Sequence, residues 1–261
     1  EEKSMSRINI FIFSVLFAVV ISLNLNSEEE KLPVLGDASS SAISIASEYN
    51  LGRLYMAQLR RNLPEYLDPV TQDYTEHLVY RLSEYSELRD RRLEIAIIDD
   101  KSINAFAAPG GIIGINAGLI FHSNAEGELA SVLSHELAHL SQRHFARNVL
   151  YSKDNNLASV LVMVSAMAAA VATNNPNAFM AGPAFLQQQS LRYSRLFEKE
   201  ADRVGFNNLI NAQYDPSSMG EMFEQMAKMR RLAGDNIPEF LLTHPISSSR
   251  VADAFNAADQ V

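Results

Sequence analysis

Two histidines four residues apart flank a glutamate in the run His135-Glu136-Leu137-Ala138-His139. On a helix, residues four apart lie about 40° apart in projection and one turn along the axis. Both imidazoles can therefore aim at one metal ion. Glu136 sits near the same face, close enough to take a proton from a water at that ion. Two histidine ligands with a carboxylate base is the arrangement used for metal-assisted peptide hydrolysis. A catalytic zinc takes three protein ligands and keeps one position open. The sequence has no cysteine, so the third ligand must be His, Asp or Glu. The run Glu198-Lys199-Glu200-Ala201-Asp202 offers it.

These residues need helices to hold them. Leu129, Val132, Leu133, Leu137 and Leu140 repeat at helical spacing around the motif, which argues for a buried helix. Ser123-Asn124-Ala125-Glu126 has the spacing of a capping box and predicts one long helix from there to about Leu150. Helical patterns also cover 43–63, 70–89, 184–211, 216–232 and 247–258, while Leu93 to Ile98 reads as a strand. Residues 104–107 and 112–116 read as extended segments around the turn Pro109-Gly110-Gly111. Helices, a small strand cluster and more helices predict an α+β fold in one domain, 42–261.

The 261 residues carry a formal net charge of −9, with 22 basic against 31 acidic residues and no basic block. That excludes nucleic acid as a partner class. The absence of cysteine removes disulfides, thiolate ligands and a cysteine nucleophile. Arg7, the apolar run from Ile8 to Leu23 and the polar exit through Glu28 match a secretory signal. Residues 1–26 are expected to be a signal peptide or N-terminal anchor, with cleavage favoured, and 27–41 a linker. Leu157 to Ala172 has no charge and reads as a core helix, a lid or a membrane-contacting segment. Membrane contact is expected through 1–26 or 157–172.

The His-Glu-x-x-His motif followed by Glu-x-x-Ala-Asp on a later helix resembles the M48 family of zinc metallopeptidases. Residues 104–111 resemble the strand and turn that precede the zinc helix in that family. Leu242-Thr243-His244-Pro245 with Ser249-Arg250-Val251-Ala252-Asp253 is similar to its BepA-like periplasmic branch, without the tetratricopeptide-repeat extension found there. The resemblance covers roughly residues 35–258. It implies a mainly helical gluzincin-type domain with a small β-sheet beside the zinc helix. It also implies one Zn²⁺ per chain held by His135, His139 and Glu198, with Glu136 as base and Asp202 behind the ligands.

Helix geometry separates the two glutamates. Glu198 and Glu200 project about 200° apart, and the Glu198 face also carries Ala201, Asp202 and Gly205, small enough for close approach to the zinc helix. Glu200 is expected to face solvent with Arg203 and Asn207. Asp202 can accept the outer ring N–H of a ligating histidine. In the segment marked by the resemblance, His244 is a fourth ligand that closes the site or a donor to the oxyanion. Arg250 stabilises the oxyanion or caps a helix, and Tyr193 is a weaker oxyanion candidate. Gly110, Gly111, Ile112, Ile113 and Gly114 read as a strand edge for substrate backbone or as an internal strand. His144, about 140° past His139 on a continuous helix, is expected to point away; His77 and His122 are expected to be structural.

The expected function is zinc-dependent endopeptidase action on unfolded or misassembled envelope proteins in the periplasm, with outer-membrane assembly machinery as a partner. The alternative is a chaperone-like protein that holds unfolded clients with a closed, largely inactive zinc site.

Overall fold

A computed structural model describes residues 43–151, 195–232 and 239–261. The expected signal or anchor (1–26), the linker (27–41), the apolar run 157–172 and Tyr193 lie outside the described residues. Those described belong to one unit, Ala42–Val261.

The order among the described residues is α1 (Ile45–Asn62), α2 (Pro69–Glu84), β1 (Glu94–Ile98), β2 (Ala105–Ala108), β3 (Ile112–Asn116), α3 (Ala117–His122), α4 (Glu126–Ser141), α5 (His144–Tyr151), α6 (Arg195–Asn211), α7 (Ser217–Leu232), α8 (Glu239–Thr243) and α9 (Ser248–Ala258). This is the mainly helical α+β arrangement expected. Side-chain caps start several helices where the chain turns. Ser44 accepts from the Ser47 N–H, Asp68 from the Thr71 N–H with Pro69 following, and Ser247 from the Arg250 N–H.

The sheet order is β1-β3-β2, with β1 parallel and β2 antiparallel to β3. β3 is therefore central, and all five of its residues are buried. This corrects the reading of Ile112, Ile113 and Gly114 as a substrate-binding edge: both sides of that strand are already paired. Gly110 and Gly111 form the turn before it, with φ of 78° and 80°, a region that a side chain rarely adopts. A Cβ at Gly110 would also collide with the Glu48 carbonyl of α1.

β1 and β2 are the outer strands, and the outer edge of β2 faces α4, where its Ala107 N–H donates to Glu136. Every residue of α4 from Glu128 to His139 is buried, because α2, α6, α7 and β2 all pack on it. The closest approach is to α6. A Cβ built on Gly205 would stand 3.0 Å from both Cα and N of His135, so the helix backbones nearly touch there. Ala138, Ala201 and Val204 fill the same contact.

α4 differs from the single long helix expected. Ser123 donates to the Leu119 carbonyl at the end of α3, and Ala125 takes the N-cap position with no side-chain hydrogen bond. The Glu128 carboxylate instead accepts from the Asn124 N–H at 2.6 Å. At the other end the helix breaks at Arg143, whose φ is 52°. Its guanidinium donates to Glu48 Oε2 at 3.0 Å and to the Ile43 carbonyl, tethering the turn to the start of α1. A left-handed residue reverses the chain sharply, and α5 starts on the next residue.

Candidate metal centre

α4 brings His135 and His139 together with their Nε2 atoms 3.0 Å apart. α6 brings Glu198, whose two oxygens lie 3.5 Å from His135 Nε2 and 3.6 Å from His139 Nε2. The chain after α8 brings His244, with Nδ1 at 3.4 Å from His135 Nε2 and 3.0 Å from Glu198 Oε1. One donor atom from each of these four buried residues lies within 4.8 Å of the others. Bonds of 2.0–2.1 Å around a tetrahedral ion place its ligand atoms about 3.3–3.4 Å apart. The separations just given bracket that value, so the donors fit one small ion.

The electrostatics favour the ligand forms of His139 and Glu198 but leave a proton on His135 for an ion to displace. Burial opposes charge on His135, yet Asp202 and Glu198 outweigh it and push its pKa up to about 9. Burial and the neighbouring His135 and His244 push His139 well below its usual value. Glu198 is held far below the usual carboxylate range: burial resists, and His135 and His244 overcome it. A neutral imidazole and an ionised carboxylate are ligand forms.

Glu136 is fully buried beside the cluster. Its Oε2 accepts the Ala107 N–H of β2 at 2.9 Å. Its Oε1 accepts no hydrogen bond from the described residues and lies 3.6 Å from His244 Nε2. An orphaned carboxylate oxygen in such a place fits a water or substrate group next to the ion. Burial pushes its pKa up, against the pull of His244 and His135, which strengthens it as a base.

Residues 69–258 match the sequence pattern of peptidase family M48. The chain belongs to this family. Its relatives include the putative beta-barrel assembly-enhancing protease of Vibrio cholerae, 35% identical over 88% of this chain and 48% of that protein. The beta-barrel assembly-enhancing protease of Escherichia coli K12 is 34% identical over 89% of this chain and 48% of its own length. A mitochondrial metalloendopeptidase, OMA1 of Schizosaccharomyces pombe, is 30% identical over 73% of this chain and 53% of its own length. The chain thus spans about half the length of these relatives.

Around the four-residue cluster of this M48 domain, Asp202 Oδ1 lies 3.0 Å from His135 Nδ1. Arg250, read from the sequence as an oxyanion donor or a helix cap, turns its side chain to the carboxylates instead. Its Nε and Nη2 donate to Asp202 at 2.7 Å each, and its Nη1 meets Glu198 at 3.0 Å and the Pro245 carbonyl at 2.9 Å. The guanidinium is spent on the carboxylates behind the cluster, and no nitrogen is left for substrate. Gly110 and Gly111 line a groove with Ala107, Pro109 and His139, while Ile112, Ile113 and Gly114 stay inside the sheet. His77 bonds the Asp73 carbonyl and His122 the Gly118 carbonyl, each within its own helix.

His144 and Glu200, expected to point away from the metal, also meet here, together with Arg147. His144 is fully buried and its Nδ1 lies 2.8 Å from His139 Nδ1. Glu200 is only partly exposed, 3.2 Å from His144 Nε2 and 2.8 Å from Arg147. The expectation that His144 points away failed because it assumed an unbroken helix. The expectation of a solvent-facing Glu200 failed because α5 folds back over that face of α6. The one signal available was composition: a histidine and an arginine just past the motif, with no apolar partner spacing of their own.

Proposed function

We propose that this chain is a zinc-dependent endopeptidase of the periplasm that cleaves unfolded or misassembled envelope proteins. One observation carries the reading: an orphaned, fully buried Glu136 oxygen beside four converging ligand atoms. His135, His139 and Glu198 would hold the ion, and a donor set of imidazole and carboxylate without thiolate suits zinc. Zinc there supplies Lewis acidity toward the scissile carbonyl and toward a water molecule. Glu136 Oε1 takes a proton from that water as its oxygen attacks the carbonyl carbon. The same carboxyl gives the proton to the amide nitrogen as the C–N bond breaks. The Ala107 N–H holds Glu136 Oε2 throughout, so the carboxylate does not swing. Arg250 acts as a positioning residue that fixes Glu198 and Asp202. Substrate backbone would enter by the groove that Ala107, Pro109, Gly110, Gly111 and His139 line.

The periplasmic setting rests on the signal-like residues 1–26. No described helix is long and apolar enough to cross a membrane. The envelope substrate class draws on relatives named for enhancing beta-barrel assembly, and the same names motivate outer-membrane assembly machinery as a partner.

A second reading is favoured by His244. Its Nδ1 takes the place of a fourth ligand while its Nε2 faces the base. An imidazole there excludes the water that must be activated, leaving a closed site that could hold clients without cleaving them. Casein digestion separates the two. Activity is expected to vanish with a chelator and return with zinc; digestion unaffected by the chelator rejects the metal reading. His244→Ala is expected to raise casein or self-cleavage several-fold. A loss of activity with zinc retained would instead make His244 a donor to the oxyanion.

Metal binding is also expected to depend on pH. With its pKa held near 9, His135 is protonated at neutral pH in the metal-free chain, and binding must displace that proton. Zinc affinity should climb by up to about tenfold per pH unit as pH rises toward about 9, then level off. The metal-free fold has the opposite dependence. A folded pKa raised above the ordinary 6.5 stabilises it fully below pH 6.5, and that contribution is lost as pH rises through about 9. Chelator competition and thermal unfolding at several pH values read the two trends.

A further inference from the structure

The two histidines of α4 have different support on their outer nitrogens. His135 Nδ1 meets a carboxylate directly, Asp202 at 3.0 Å. His139 Nδ1 meets a second imidazole, His144 Nδ1 at 2.8 Å. Two ring nitrogens at that distance share one proton, donated by one and accepted by the other. The far nitrogen of His144 decides which way it runs. His144 Nε2 lies 3.2 Å from Glu200 Oε2, and a carboxylate oxygen only accepts. His144 must therefore carry its proton on Nε2 and offer a lone pair at Nδ1. His139 must in turn carry its proton on Nδ1, which leaves its Nε2 lone pair aimed at Glu198 and His135.

We propose that His144 is a positioning residue that, with Glu200 behind it, fixes the ring orientation and tautomer of His139 for metal binding. The proposal rests on the reading of His139 as a metal ligand. Three features build the relay. Arg143 in its left-handed conformation turns the chain so that the first residue of α5 lands on the last turn of α4. Phe197 stacks on the His144 ring with centroids 4.5 Å apart and an interplanar angle of 11°, which sets the ring plane. Arg147 holds the other side of the Glu200 carboxylate at 2.8 Å and lies over the same Phe197 ring at 4.7 Å. Glu200 and Asp202 thus serve one ligand each, the first through a relay and the second directly. Partners of this kind orient a ligating histidine and raise its basicity, and their loss usually costs about 10- to 100-fold in metal affinity.

The test measures zinc affinity of the whole chain by competition with a chromophoric chelator, beside thermal unfolding of the metal-free protein. His144→Phe keeps an aromatic ring against Phe197 and removes both nitrogens. It is expected to weaken zinc about 10- to 100-fold while the metal-free unfolding midpoint stays close to that of the unaltered chain. His144→Asn, whose amide oxygen replaces the Nδ1 acceptor, is expected to recover part of the affinity. The absorption spectrum of the cobalt-substituted protein should shift in His144→Phe and return toward normal in His144→Asn. Glu200→Gln, on a partly exposed residue that does not endanger the fold, should weaken zinc by a smaller factor. Unaltered affinity and cobalt spectrum in His144→Phe overturn the proposal. If His144→Phe does not fold, Glu200→Ala decides, and full affinity there overturns it equally. His139→Ala separates the two readings: if it holds zinc as tightly as the unaltered chain, His139 is no ligand and the reading beneath the proposal has failed instead.

Discussion

Glu136→Gln is expected to lower kcat/KM for peptide hydrolysis by at least about 10³-fold and to leave zinc bound. Positioned acid–base groups supply roughly 10²- to 10⁴-fold, and here one carboxylate handles both the proton from water and the proton to the leaving amine. The substitution is nearly isosteric. The amide oxygen can keep accepting the Ala107 N–H that now reaches Oε2 at 2.9 Å. The amide nitrogen then lies where Oε1 is, facing the ligand cluster with a donor in place of an acceptor. Water meets no base there. Because Glu136 supplies none of the four converging ligand atoms, metal content should stay near one ion per chain. Casein digestion at unchanged rate, with zinc bound, would mean that another group carries the proton and that the mechanism is wrong.

Glu198→Ala is expected to remove nearly all bound zinc and all activity. Glu198 touches His135, His139, His244 and Arg250 at once, so it would supply a ligand and, with Asp202, the negative charge that balances the cluster. Losing a direct ligand should exceed the roughly 10- to 100-fold cost typical of a partner one step further out. That figure is the expectation for Asp202→Ala, which leaves all four donors in place. Breaking a buried ion pair can cost about 3–5 kcal/mol when a charge is left alone. Arg250 keeps its two hydrogen bonds to Asp202, so the metal-free Glu198→Ala chain should still fold, as circular dichroism would show. Metal content by atomic emission reads the rest. If Asp202→Ala strips zinc more completely than Glu198→Ala, the two carboxylates have been assigned the wrong way round.

The parts of the centre that follow helical periodicity were legible in the sequence. His135, Glu136 and His139 share a face because the period is 3.6. Glu198, Ala201, Asp202 and Gly205 share another for the same reason, and small residues announce a close approach that Gly205 makes at 3.0 Å. What failed depended on relations between elements. Nothing local in Ile112 to Asn116 tells a central strand from an edge, since a short apolar run fits either. The break at Arg143 has no glycine or proline to mark it; its left-handed backbone is sustained by ties to Glu48 and Ile43 nearly a hundred residues earlier. Glu200 looked solvent-facing because one helix was imagined beside α6, and α5 is the second. Arg250 sat in a recognisable segment, yet its three bonded carboxylate and carbonyl partners only become visible in three dimensions.

The spacing of the ligands along the chain gives the ion a second consequence, mechanical rather than chemical. Glu198 and His244 are separated by 46 residues and His135 and His244 by 109, so an ion that joins them is a removable cross-link closing long loops. Loop closure costs entropy that grows only slowly with length, and an ion bound by the folded chain alone offsets it in proportion to its concentration over Kd. The last helix is therefore moored twice. Without metal, Arg250 ties α9 to α6 through Asp202 and holds the Pro245 carbonyl, and His244 meets Glu198 at 3.0 Å; an ion that His244 ligates would add a tie to α4 through His135. Metal occupancy would thus reinforce a segment between α8 and α9 that is already anchored, rather than decide whether α9 docks.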